Sequence, residues 1–177
     1  MKNSDAKTKA NEYAGGIIIK RAMQAYMPEW TVTPTTNFSD NTPCRVHWDL
    51  TATKGVELML IEGKARSRKY RVNNPRIQDM QITGKKLDWV REAADKHNCR
   101  GWVFGVYPYD NVVLVWPADK EYEECVIYSK DYEMDDDSEK TEKPGYILPF
   151  DEATRLYVDG SDFDENWKKA YRKYTKK

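Results

Sequence analysis

Cysteine and histidine are scarce in this chain, with three cysteines, Cys44, Cys99 and Cys125, and two histidines, His47 and His97, among 177 residues. The cysteines are odd in number, widely spaced and without a Cys-x-x-Cys pair, which argues against a disulfide framework and against structural zinc. Reduced, mostly buried thiols are expected. Long apolar runs are missing as well. No stretch approaches the ~20 residues that a membrane-spanning helix requires, and no apolar signal region follows Met1-Lys2-Asn3-Ser4-Asp5-Ala6-Lys7. The expectation is a soluble, cytoplasmic protein. There is no Gly-rich phosphate loop, no nucleophilic Ser or Cys motif, no His-rich metal motif and no internal repeat. The length suits one domain with a real core.

Net charge is absent too, since 29 basic and 29 acidic residues cancel. The cancellation hides a segregation. Lys64, Arg66, Arg68, Lys69, Arg71 and Arg76 form a basic stretch free of acids, and Lys168, Lys169, Arg172, Lys173, Lys176 and Lys177 make the C-terminus basic. Between them, Asp119 to Glu142 is strongly acidic around Asp135-Asp136-Asp137. A polyanion would be attracted by the basic parts and repelled by the acidic one. Each run also has the plainer reading of a solvated surface.

What is present centres on residues 45–64. Arg45 to Thr51 and Val56 to Lys64 read as strands around the turn signal Thr53-Lys54-Gly55, which makes a hairpin. Alternation puts Leu58, Leu60, Glu62 and Lys64 on one face, and a turn at Lys54-Gly55 sets Asp49 across from Leu60 on that face. Burying charge beside Leu and Ile is costly unless a counter-charge or a metal is present. An apolar run that ends in Glu62-Gly63-Lys64 is therefore a local contradiction of the kind that marks a site.

The remaining elements follow from periodicity. A first helix is expected from Asn11 to Met27, stopped by Pro28 and packed through Ile18, Ala22, Ala25 and Tyr26, with Gly15-Gly16 marking close helix–sheet contact. Trp30 to Thr36 suits an edge strand broken at Pro34, and Asn37 to Pro43 a loop. Past Lys64 the chain reads as loop or helix lead-in through Asn73-Asn74-Pro75. Leu87, Val90, Ala94 and His97 signal a second helix that ends near Asn98 to Gly101. Trp102 to Tyr107 and Asn111 to Trp116 read as strands joined by Pro108-Tyr109-Asp110.

Asp49, Glu62-Gly63-Lys64 and this αβββαβ order over residues 11–116 resemble the PD-(D/E)XK nuclease superfamily of restriction enzymes and junction resolvases. The Pro that names the motif is replaced by Trp48. The resemblance implies an α/β (α+β) restriction-endonuclease-like fold, a mixed sheet flanked by helices with a C-terminal helical extension. Residues 1–177 are then one domain: a nuclease-like core over 11–116, an acidic loop region over 117–145 in which Cys125 to Tyr128 reads as a strand, and an extension over 146–177 that closes in a basic helix, Asp162 to Tyr174.

The resemblance also implies roles. Asp49 and Glu62 would hold Mg²⁺, with Mn²⁺ as a substitute, because a hard cation prefers carboxylate oxygen; the carbonyl of Gly63 would join them, and Glu12 of the first helix is a further implied ligand. Glu12 read alone is an ordinary exposed residue near a helix start. Lys64 would hold or deprotonate the attacking water or stabilise the phosphate. Arg66, Arg68, Lys69 and Arg71 are expected to contact nucleic acid. His47 shares the Asp49 face and reads more simply as structural, Trp48 on the opposite face as core, and the other aromatic residues as packing with stacking on bases as an alternative. The leading expectation is a metal-dependent DNA endonuclease, with a homodimer suggested by the small size. A non-catalytic nucleic-acid-binding module of the same fold, and an unrelated protein-interaction or small-molecule domain, are the alternatives.

Overall fold

The computed structural model describes residues 3–34, 49–66, 68–129 and 141–175. Along the chain come helix α1 (Asn3–Tyr26), strands β1 (Thr31–Pro34), β2 (Leu50–Lys54), β3 (Glu57–Ala65) and β4 (Asp79–Thr83), helix α2 (Gly84–Lys96), strands β5 (Arg100–Tyr107), β6 (Val112–Pro117), β7 (Glu123–Ser129), β8 (Thr141–Pro149) and β9 (Thr154–Tyr157), and helix α3 (Phe163–Thr175). A six-stranded sheet has the order β1-β2-β3-β5-β6-β9, and a three-stranded sheet the order β4-β8-β7. Within the large sheet β3 and β5 are parallel and the other pairs antiparallel. Leaving out β4, the order from α1 to β5 is the αβββαβ arrangement of the restriction-endonuclease-like fold. Among the described residues, no helix is long and apolar enough to cross a membrane.

The two faces of the large sheet carry separate cores. Ile18, Ile19, Ala22 and Met23 of α1 pack with Met59, Ile61, Phe104 and Val106 on one face. Leu87 and Val90 of α2 pack with Val103, Leu114 and Trp116 on the other, joined by Met80 and Ile82 of β4 and Leu148 of β8. Adjacent residues of β3 and β5 thus serve opposite layers, as strand alternation requires. Helix α3 lies along α1, where Ala6 and Ala10 meet Ala170 and Tyr174.

Several expectations change. Helix α1 begins at Asn3 and not at Asn11; Ala25 and Tyr26 are exposed, and the packing face runs instead through Ala14, Ile18, Ile19, Ala22 and Met23. The close helix–sheet contact at the glycines is present, since a Cβ on Gly15 would stand 3.0 Å from that of Ala65. In the hairpin, Lys54 pairs with Glu57 and Leu50 with Ile61, so the two-residue turn is Gly55-Val56. Gly55, at φ 57°, supplies the left-handed first position that a hairpin turn of this kind favours. The register is shifted by two residues from that expected, and the paired ladder begins at Leu50, so Asp49 lies one residue before it. An even shift preserves the face.

The segment read as loop or lead-in after Lys64 contains β4, and 117–145 is not loop throughout, because β7 and the first residues of β8 lie in it. The sequence pattern predicts neither strand β8 nor strand β9, which completes the large sheet. Cys99 and Cys125 are half-buried free thiols, where burial was expected. Arg45 to Trp48, including His47, together with Cys44, the loop Asn37 to Pro43 and the acidic run Asp135-Asp136-Asp137, lie outside the described residues.

Candidate metal and phosphate centre

The C-terminal end of β3 brings the site together. Glu62 and Lys64, two apart, share the face that looks toward α2, and they pair in parallel register with Val103 and Gly105 of β5. Glu62 is 2% exposed and, among the described residues, is the one charged residue buried with its backbone as well as its side chain. Its carboxylate is ion-paired with the ammonium of Lys86, from the first turns of α2. A lone buried carboxylate would cost several kcal/mol, and the pair offsets that cost.

Asp49 sits one residue before β2. Its Oδ2 accepts a hydrogen bond of 2.9 Å from the Gly63 backbone N–H, and its own N–H donates to the Ile61 carbonyl at 2.9 Å. The carboxylate is thereby clamped beside the Glu62-Gly63-Lys64 backbone. A Cβ at Gly63 would lie 2.8 Å from Ile19 Cδ1 of α1 and 3.6 Å from Asp49 Oδ2. A larger residue would force the end of the Ile19 side chain to move, so glycine here lets α1 pack closely over the motif.

Glu12 is half-buried in the interior of α1, and not an exposed residue near a helix start. Its pKa is pushed up to about 7 by burial and then by the Asp49 carboxylate, against the opposing pull of Lys86 and Lys9. The pKa of Glu62 is likewise raised to about 7 by burial and Asp49, although Lys86 and Lys64 oppose the shift. Asp49 is raised by burial, with Lys86, the Gly63 N–H and Lys64 pulling the other way. Burial lowers Lys64 to about 8, helped by the Arg66 and Lys86 charges. Lys86 goes up: burial opposes its charge, and Glu62 and Asp49 outweigh burial. Three carboxyl groups and two ammonium groups thus perturb one another at one strand end, as functional centres commonly do.

Lys86 escaped sequence reasoning because nothing local distinguishes it from any lysine in the first turn of an amphipathic helix. Glu12 had a weak signal: with Gly16 and Ile19 it falls at i, i+4 and i+7 of one helix face.

The basic stretch after Lys64 divides. Arg68 is ion-paired with Asp164 and lies over the Tyr109 ring. Arg71 Nε donates to Asp110 at 2.8 Å and its Nη2 to the Tyr109 carbonyl at 2.6 Å. These two arginines fasten the segment to the rest of the fold. Arg66, whose charge reaches Lys64, donates to the Gln81 carbonyl at 2.8 Å and covers Tyr70. Lys69 is exposed.

The donor set suits a hard cation better than a soft one. Among the described residues no three His, Cys, Asp or Glu side chains cluster as a ready-made cage. Mg²⁺ does not need such a cage, because one or two carboxylates plus waters and phosphate oxygens satisfy it. Asp49 and Glu62 can supply the carboxylates, and the Glu12 carboxyl is close enough to feel the Asp49 charge.

No protein-family model matches this sequence, and no curated protein matches it. Among solved structures, the chain is similar to the Holliday junction resolvase Hjc of the archaeal hyperthermophile Archaeoglobus fulgidus, at 12% identity and a TM-score of 0.46 over 79% of this chain and 89% of that one. It is also similar to a nuclease from a fusselovirus, at 11% identity and a TM-score of 0.39 over 90% of this chain and 89% of that one.

Proposed function

We propose that this protein is a divalent-metal-dependent nuclease that hydrolyses phosphodiester bonds of DNA. The observation that carries the reading is the buried Glu62, two residues from Lys64 on one strand face, with Asp49 clamped to the backbone between them. Structural ion pairs seldom gather three acids and two lysines from four separate segments at a sheet end. A metal-dependent nuclease centre needs carboxylates for the cation and a nearby basic group for water or phosphate, and this set offers both.

Asp49 and Glu62 would hold Mg²⁺ or Mn²⁺, with the Gly63 carbonyl and Glu12 as further oxygen donors. When bound, the cation would neutralise phosphoryl charge and lower the pKa of a coordinated water. The chain's own groups do the rest. Gly63 N–H fixes one Asp49 oxygen and leaves the other to act as a ligand. Lys86 opposes the rise that burial and Asp49 impose on the Glu62 pKa, favouring the ionised form, and orients the carboxylate. Lys64, with its pKa lowered to about 8, can hold the attacking water and take its proton near neutral pH, or donate to a phosphoryl oxygen as charge builds there. Arg66 and Lys69, which follow the site in sequence, would meet flanking phosphates, while Arg68 and Arg71 would act mainly by holding the segment.

Incubation with plasmid and with branched DNA in Mg²⁺, Mn²⁺ and EDTA tests the reading. Cleavage that EDTA abolishes is expected. Salt-sensitive binding with no cleavage in either metal would instead identify a non-catalytic nucleic-acid-binding module.

A further inference from the structure

The candidate centre holds two lysines, and the fold uses them differently. Lys64, two residues from Glu62 on the same strand, forms no ion pair among the described residues. Lys86, brought in by α2, is the lysine in contact, with its Nζ on Glu62 Oε1. Nothing in α2 itself calls for a cation at that position. The first turn of the helix carries no acid, and the positive end of a helix dipole disfavours lysine. Lys86 therefore answers to Glu62, whose side chain is 2% exposed and needs a countercharge to remain ionised there.

The two ends of this ion pair differ in freedom. Glu62 is held in the middle of the sheet, in register with Val103 of β5. The Lys86 side chain is 34% exposed on a flexible four-carbon stem, so its ammonium has a way out to solvent that the carboxylate lacks. Once Glu62 serves a divalent cation its charge is already met, and an ammonium kept on the same carboxylate would be repelled. Among the described residues Lys86 has no second carboxylate in ion-pair contact to which it could turn. A phosphate oxygen can take that place. Ligands of one small cation are neighbours in space, so an arm that reaches Glu62 also reaches a phosphate on the same cation.

We propose that Lys86 is an exchangeable countercharge, which holds Glu62 in the metal-free protein and passes to a phosphate of the DNA when Glu62 serves a metal. The exchange couples the two ligands. Lys86 released from Glu62 is available to the phosphate, and Lys86 drawn to a phosphate leaves Glu62 open to the metal. By linkage each ligand strengthens the other by the same factor. Lys64 stays outside this pairing and is left for the chemistry. The inference rests on the nuclease reading and adds to it a substrate contact from outside the Asp49 and Glu62-Gly63-Lys64 motif.

Calorimetry at pH 8 tests the coupling, with Ca²⁺ titrated into the full chain and into Lys86→Met, each alone and with a short DNA duplex. Without DNA the variant should bind Ca²⁺ about tenfold more tightly, because a competitor for Glu62 is gone, and the gain in Ca²⁺ affinity on adding DNA should be about tenfold smaller than in wild type. Equal or weaker Ca²⁺ binding by the variant, or an undiminished gain with DNA, would overturn the exchange. A second measurement needs no stable Lys86→Met protein. In NMR spectra of the lysine ammonium groups, with the Lys86 signal assigned from Lys86→Arg, that signal should pass from slow to fast exchange with solvent when Mg²⁺ is added to wild type. A signal still slow at saturating Mg²⁺ would make Lys86 a permanent partner of Glu62. If that happens while wild type cleaves DNA, the exchange is wrong and the nuclease reading stands. If wild type binds no divalent cation and cuts no DNA, the nuclease reading fails and the exchange falls with it.

Discussion

Replacing Lys86 with Ala removes the only cation recorded in ion-pair contact with Glu62 among the described residues. Breaking a fully buried pair costs ~3–5 kcal/mol. Two features reduce that here: the Lys86 side chain is 34% exposed, so solvent screens part of the interaction, and Glu62 can escape its unpaired charge by taking up a proton. The pKa of Glu62 is already about 7 with Lys86 in place, and each further unit of pH above it costs ~1.4 kcal/mol to keep the proton. A loss of about 2 kcal/mol at pH 8 follows, or ~4–8 °C in Tm for a chain of this size.

The pH dependence has a definite sign. A carboxyl group whose folded pKa is raised from 4.5 to about 7 contributes most below 4.5 and loses that contribution as pH rises through about 7. Removing Lys86 raises the pKa further and moves the loss to higher pH. Lys86, itself raised above 10.5, contributes fully below 10.5, so its contribution is intact at pH 8 in the wild type. At pH 5 Glu62 is protonated in both proteins and the difference should shrink to under about 1 kcal/mol. Circular dichroism melts in EDTA at pH 5 and pH 8 measure this. Saturating Mn²⁺ at pH 8 should recover most of the lost Tm, because a metal supplies the missing countercharge. An equal Tm loss at both pH values would refute the reasoning and make Lys86 a packing residue.

Other outcomes follow from the same site. Asp49→Ala should weaken Mn²⁺ binding at least tenfold in calorimetry while the protein stays folded, and unchanged affinity would remove Asp49 from the metal shell. Lys64→Ala should keep Mn²⁺ and DNA affinity within a few-fold and lower cleavage by ~10²–10⁴, as expected for an interaction made in the transition state; wild-type cleavage would exclude it from the chemistry. Asp110→Ala should cost roughly 2–3 kcal/mol of stability in urea unfolding, since this side chain, 2% exposed, accepts from both Arg71 Nε and the Val72 N–H. A loss under 0.5 kcal/mol would show that the segment after the site is not held there.

The local signals of the core were legible because they depend on period alone. Leu58, Leu60, Glu62 and Lys64 share a face in any strand, and Leu87, Val90 and Ala94 share one in any helix. Strand β4 alternates Met80 and Ile82 inward with the same clarity, but it is short and follows a turn-rich segment. Strand β8 carries Pro144, Gly145 and Pro149, residues that argue against a strand when read alone. It forms because β4 and β7 pair with it on its two sides. Strand β9 similarly depends on β6 for its pairing.

At the site the sequence by itself determined that Glu62 and Lys64 project together, because neighbours two apart on a strand must. The hairpin then required Asp49 to lie near them, and an error of two in register did not undo that nearness. Lys86 and Glu12 were decided by tertiary structure alone. Lys86 reaches Glu62 because α2 packs on one face of β3, and Glu12 comes near Asp49 because α1 packs on the other. Tertiary structure also fastened Arg68 and Arg71 to Asp164 and Asp110, acids that follow them in sequence by 96 and 39 residues. Charge runs along a chain carry no information about such distant counter-charges, and Coulomb interactions depend on separation in space.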